Sequence, residues 1–271
     1  MNESTRFAFG ANWRRYLTRV DESHLASARD SLVALLGTAS LAGHSFLDIG
    51  CGSGIFSLAA RHLGARVYSF DYDQDSRACA QGLKDREFPG DPDWRIEIGS
   101  VLDAEQMAGL GQFDVVYAWG VLHHTGDLWL GFAHAIERVA LGGRLVVALY
   151  NDQGWISRWW TVVKRAYNEH PILRGPLIAC YTPYLVILRL LVRAATGRLK
   201  DERGMSIWYD MIDWLGGWPF EIATPRAVRE FARDRGLRLV REKTVGRRHG
   251  CNEFVFERPD QTAIGVGASI E

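Results

Sequence analysis

The decapeptide Ser-Phe-Leu-Asp-Ile-Gly-Cys-Gly-Ser-Gly at 45–54 constrains this chain more than any other stretch. Phe46, Leu47 and Ile49 favour a short buried strand. Gly50, Gly52 and Gly54 then allow a sharp turn and leave no Cβ in the way of an approaching ligand. Ile55, Phe56, Leu58, Ala59 and Leu63 follow at helical spacing, so the turn sits at a helix N-terminus, with its unpaired amides and positive dipole end. A dinucleotide-binding turn places its third glycine three residues after the second. That position is Ile55 or Ser57 here, depending on which glycine pair is taken first, and neither fits.

Beyond the first helix the pattern repeats. Residues 66–70 read as a second strand ending in Asp71, 17 residues past Gly54. A carboxylate at a strand tip can accept both hydroxyls of an adenosine ribose. Tyr72 offers a ring to the adenine, and Asp73 caps a helix over 74–84. Strands over 94–98, 113–118 and 144–150 follow, with a helix from Asp127 to Ala140 and a Gly142-Gly143 turn before the last of them. Thr224-Pro225 opens a further helix, and 238–245 and 251–257 read as the final strands. Such alternation gives an α/β fold with a doubly wound, seven-stranded sheet. Open parallel sheets bind ligands at the carboxyl ends of their strands. The glycine turn, Asp71, Ser100, residues 119–124 and Asn151-Asp152 are therefore expected at one edge.

From 151 to 220 the strand pattern gives way to helical segments over 156–169, 174–195 and 206–215. Six of the ten tryptophans lie there, which marks a helical cap. The expected organisation is an N-terminal helical lid (1–40), a first core half (41–152), the cap (153–221), a C-terminal helix and hairpin (222–258) and a flexible tail (259–271). With 47% apolar residues a single large core is feasible. Lys plus Arg balances Asp plus Glu at 32 each, so charge gives no reason to expect nucleic acid as partner. Four cysteines without metal-ligand spacing and an N-terminus without an apolar signal segment point to a reduced cytoplasmic setting. No apolar run is long enough to span a bilayer; 176–195, with Arg189 and Arg193, comes nearest and is a candidate for peripheral membrane contact.

Asp48 ahead of Gly-x-Gly-x-Gly, Asp71 after the second strand, Phe-Asp-Val-Val at 113–116 and Leu-His-His at 122–124 make the chain resemble the class I S-adenosylmethionine-dependent methyltransferases, in their small-molecule branch. The resemblance spans about 40–150 by motif and 222–258 by pattern. It implies a Rossmann-like fold whose seventh strand is antiparallel, with S-adenosyl-L-methionine as donor and S-adenosyl-L-homocysteine as product. The cofactor-binding residues it implies are Asp48, Gly50, Cys51, Gly52, Gly54, Asp71, Tyr72, Ser100, Val101 and Trp119. Ser100 stands where many members carry an acid, leaving the adenine amine to the Val101 backbone or Asp103. The fourth strand ends in Ala118-Trp119-Gly120, without the acid of metal-dependent relatives, so no metal is expected.

Methyl transfer from a sulfonium needs little beyond alignment and, for a hydroxyl acceptor, a base. His123 and His124 are the candidates, with His123 preferred for its place in the Leu-His dipeptide. Trp13, Tyr16, Asn151, Trp155, Trp208, Tyr209, Arg247 and Arg248 are the candidate acceptor contacts. The expected reaction is O-methylation of a small apolar or ring-containing acceptor. The alternatives are a glycan or lipid-linked acceptor at a membrane surface, N- or C-methylation, and a non-catalytic binding protein of the same fold.

Overall fold

The computed structural model describes residues 21–187, 214–246 and 250–260, together with residues 10, 13, 211 and 248. Strands β1 (Ser45–Ile49), β2 (Arg66–Asp71), β3 (Trp94–Ile98), β4 (Phe113–Trp119), β5 (Val139–Tyr150), β6 (Arg238–Lys243) and β7 (Cys251–Glu257) form one sheet in the order β3-β2-β1-β4-β5-β7-β6. Strands β1 to β5 pair in parallel, and β7 runs antiparallel between β5 and β6. This is the doubly wound sheet expected from the sequence.

Period-two alternation of side chains divides the core into two layers. Phe46, Val67, Val115, Tyr117, Val146 and Val255 face one side, against helices α1 (Glu22–Leu36), α2 (Ile55–His62) and α3 (Gln74–Glu87). Leu47, Phe70, Val116, Leu145, Val147 and Phe254 face the other, against α4 (Ala104–Gly109), α5 (Leu128–Glu137) and α8 (Pro225–Arg233). Each large apolar side chain buried this way contributes about 1.5–3 kcal/mol. Asp21 caps α1 through the amides of Ser23 and His24, and Gly37 ends it at φ +66°. The cap contributes α6 (Trp155–Glu169) and α7 (Arg174–Thr182), the latter followed by a π-helical turn at Pro183–Ile187.

Several boundaries differ from the expected ones. Helix α5 ends at Glu137 rather than Ala140, and β5 starts at Val139 rather than 144. Gly142-Gly143 is not a turn between them but part of an irregularity inside β5. The partner of Phe113 is Val139 while that of Val115 is Arg144, and Gly142 and Gly143 exchange backbone hydrogen bonds with Arg258. Strand β6 stops at Lys243, and α3 extends to Glu87. Helix α4 and a 3₁₀ turn at Leu122–His124 had no expected counterpart. Residues 188–210, which hold the rest of the expected 174–195 helix and much of the 206–215 helix, lie outside the described residues. No described helix is long and apolar enough to cross a membrane.

Candidate functional site at the carboxyl edge of the sheet

The glycine turn is held almost entirely by its own chain. The amides of Gly50 and Cys51 both donate to the Phe70 carbonyl, that of Gly54 to Cys51, and that of Gly52 to the Asp71 carboxylate at 2.9 Å. The second Asp71 oxygen accepts from the Asp73 amide at 2.9 Å. A turn built to cradle phosphate keeps such amides open to an anion. Here four are satisfied within the protein, one of them by a carboxylate, so the turn suits a ligand without a pyrophosphate. Gly50 and Gly54 adopt φ of +68° and +81°, and a Cβ on them would lie 2.5 Å from Val121 Cγ1 and 2.7 Å from Ala80. The loop after β4 is thereby brought against the turn. Trp13 lies on Gly52, whose Cβ would meet the indole at 3.1 Å, and the Gly10 amide reaches Asp73.

The cofactor residues expected from the sequence fall into two groups. Asp71 and exposed Tyr72 stand at the tip of β2, next to the glycine turn. Asp48 and Cys51 are buried beneath it. Asp48 is 2% exposed and accepts from Ser57, whose hydroxyl also contacts Ser69, which in turn accepts from Trp94. Burial first, and the neighbouring Asp71 charge to a lesser extent, raise the Asp48 carboxyl to about 7. Ser100 accepts from the Leu102 amide, its own amide donates to Gln106, and the Val101 carbonyl is bound by His134 at 2.7 Å. Asp103 caps α4. Trp119 stacks on Tyr117 with rings 6° apart in tilt.

The two histidines are not equivalent. His123, preferred as base on the sequence, is 1% exposed, and its Nδ1 accepts from the Tyr150 amide. Burial, then the nearby His124 and Lys164, push its pKa well below the ordinary histidine value, so the ring is neutral and sealed. His124 is half-buried and pairs through Nδ1 with the Pro219 carbonyl at 2.6 Å. A carbonyl partner requires the proton on Nδ1, which leaves the lone pair of the neutral ring on Nε2.

The expected acceptor contacts disperse. Asn151 is buried and holds the end of β5 to the β6–β7 loop, donating to Gly246, accepting from Asn252 and donating its amide to Gly250. Its side chain is thus a structural tie. Trp155 is 73% exposed on the outer face of α6, away from the cap's core of Trp160, Val163, Tyr167, Met211, Leu215 and Phe220. Arg248 is exposed in the loop where it was expected. Tyr16, Trp208, Tyr209 and Arg247 lie outside the described residues.

Sequence reasoning missed Glu221. Its carboxylate accepts from the amides of Gly126 and Leu128, fastening the loop after β4 and the start of α5 to the end of the cap. A lone acid in a stretch of mixed polarity gives no signal of a partner 95 residues away in the chain. Among the described residues, no group of three or more His, Cys, Asp or Glu side chains is arranged to hold a metal ion.

Residues 22–242 match a family model described as a methyltransferase domain. A ubiquinone biosynthesis O-methyltransferase of Azorhizobium caulinodans is 31% identical over 168 residues, covering 55% of this chain and 62% of the relative. A ribosomal protein L11 methyltransferase of Wolinella succinogenes is 37% identical over 86 residues, covering 32% of this chain and 29% of the relative. The chain therefore spans less than two thirds of the length of these curated relatives. Among solved structures, magnesium protoporphyrin IX methyltransferase of Synechocystis PCC 6803 with S-adenosylhomocysteine bound has a TM-score of 0.54 at 17% identity, over 92% of this chain and 94% of that one.

Proposed function

Starting from a chain that belongs to the family of S-adenosylmethionine-dependent methyltransferase domains, we propose that it methylates a hydroxyl of a small acceptor bearing apolar or ring surface. The observation that carries the reading is the junction of three elements at one sheet edge. The glycine turn is tied to Asp71 through Gly52, and its Gly50 abuts Val121 at the start of the histidine loop.

The donor, once bound, supplies a methyl group already activated on a sulfonium. The remaining work falls to this chain. In this reading Asp71 accepts the ribose hydroxyls, because each carboxylate oxygen can take more than one hydrogen bond. The satisfied turn amides and the acidic surroundings suit a cationic donor better than a pyrophosphate. His124 takes the acceptor proton on Nε2, while Pro219 fixes the opposite nitrogen. His123 shapes the loop from below. A cap beside these residues that carries six of the ten tryptophans supports an acceptor with a flat apolar face. Similarity to a relative named for O-methylation in ubiquinone biosynthesis supports the O-methyl reading.

The test has a binding part and a chemical part. Calorimetry with S-adenosylmethionine, S-adenosylhomocysteine and NAD should give binding to the first two alone. Asp71→Ala should weaken it by about 1.5–3 kcal/mol, the usual loss for a hydrogen bond to a charged acceptor. Binding of NAD, or unchanged affinity in the variant, would remove the donor assignment. A panel of catechols and phenols incubated with labelled donor and read by mass then tests the acceptor. On any acceptor found, His124→Gln should lower kcat about 10²–10⁴-fold with donor affinity intact. A wild-type rate in that variant would leave alignment alone as the mechanism.

A further inference from the structure

Helix α6 buries one stripe, and the stripe contains a charge. Ser157, Trp160, Val163 and Tyr167 lie on it at helical spacing, and so does Lys164, whose side chain has no exposed surface. A fully buried lysine is rare, because desolvating an ammonium costs several kcal/mol unless it is well compensated. Here Nζ donates to the Trp214 carbonyl and lies 4.6 Å from the Trp214 ring centroid, 4.8 Å from that of Phe220 and 5.9 Å from that of Tyr150. Ring faces attract a cation, most strongly where water is excluded. A methionine of similar length would fill the space without desolvating a charge, so packing alone does not account for the ammonium.

What Lys164 grips is the end of the cap. Asn168, one turn further along α6, donates to the Gly216 carbonyl at 2.9 Å, giving the helix a second hold on the same segment. The segment then runs beside the histidine loop: Pro219 accepts from His124, the Glu221 amide donates to the His123 carbonyl at 3.0 Å, and the Ala223 amide donates to Tyr150. The Tyr150 ring closes the circuit, 3.8 Å from the His123 ring, 5.3 Å from His124 and 5.2 Å from Phe220.

We propose that Lys164 is a positioning residue for the base: its ammonium locks residues 214–220 in place, so that the Pro219 carbonyl holds His124 with its proton on Nδ1. The proposal rests on the reading of His124 as the base. The same charge adds to burial in keeping His123 neutral. Among the described residues, the charged or titratable groups near the two histidines include Glu221, bound to the amides of Gly126 and Leu128, and Asp127 at the start of α5.

The experiment uses the full chain labelled with ¹⁵N-histidine and saturated with S-adenosylhomocysteine. Ring-nitrogen spectra then report the tautomer of His124 without turnover. Wild type and Lys164→Arg should show the Nδ1–H tautomer. Lys164→Met, which no longer holds the Trp214 carbonyl, should show a mixed population of Nδ1–H and Nε2–H tautomers at His124. A Lys164→Met spectrum matching wild type at His124 would overturn the proposal. If that variant fails to fold, Phe220→Leu opens one wall of the cage and loosens the hold on 214–220; it should bring in the second His124 tautomer to a smaller extent, and signals unchanged from wild type would overturn the proposal equally. Failure of the base reading is seen separately, as wild-type turnover in His124→Gln on an acceptor from the catechol panel.

Discussion

Asp48 leaves β1 beneath the glycine turn and meets hydroxyls rather than cations: Ser57 donates to it, and Ser69 and Trp94 continue the chain inward. Burial holds its carboxyl at about 7, whereas unfolding returns it to the ordinary aspartate range near 4. Between those values the folded chain keeps a proton that the unfolded chain has released. Stability contributed at this site therefore falls as pH rises from about 4 to 7 and is constant above. Asp48→Asn, which keeps an acceptor for Ser57, should flatten that part of the profile. Melting temperatures taken across the range should decline less steeply for the variant, and parallel declines would show Asp48 ionised throughout. At this scale the sequence was legible where chemistry is local. Asp73 caps the helix two residues after Asp71, as its spacing indicated. The surroundings of Asn151 and His123 were not legible, because they are set by Asn252 and Gly246 in one case and Tyr150 in the other, far along the chain.

Residues 214–223 do the most to connect elements, although they form little regular structure of their own. Glu221 serves as an N-terminal cap for α5 from outside that helix, receiving the Leu128 amide at 3.1 Å and the Gly126 amide at 3.0 Å. Negative charge at a helix N-terminus is favourable, and loss of the acceptor leaves partly buried amides unmet. Glu221→Ala should lower stability by about 1–3 kcal/mol in urea titration, with the largest loss of amide-exchange protection at 122–128. Protection lost uniformly would mean that Glu221 stabilises the sheet rather than the loop. Elements with strong periodicity, such as β1 to β4 and α6, lay close to where their patterns put them. The α5–β5 junction did not, because a Gly-Gly pair that normally signals a turn is here accommodated inside a strand by hydrogen bonds to Arg258.

On the scale of the molecule, the two-layer core and strand order followed from alternation along each strand, which the sequence displays openly. The cap was legible as a helical region but not as a fastening, since nothing in the spacing of Lys164 announces the Trp214 carbonyl and three rings among its surroundings. The antiparallel position of β7 between β5 and β6 has a consequence for biosynthesis. A chain emerging from the ribosome N-terminus first can assemble β1 to β5 early, yet the outer edge of β5 has no partner until residues 251–257 emerge. For more than 100 residues of translation that edge, carrying Leu145, Val147 and Leu149, remains open to pairing with another chain. Ending the chain after residue 236 should make this interval permanent and yield a protein that aggregates, whereas ending it after 260 should not. Sedimentation of the two truncated forms checks this, and a monomeric, cooperatively melting form ending at 236 would show that β5 protects its own edge. The last strand to be made is thus the one that seals the sheet, so the nascent chain is most exposed to misassembly just before synthesis of the core is complete.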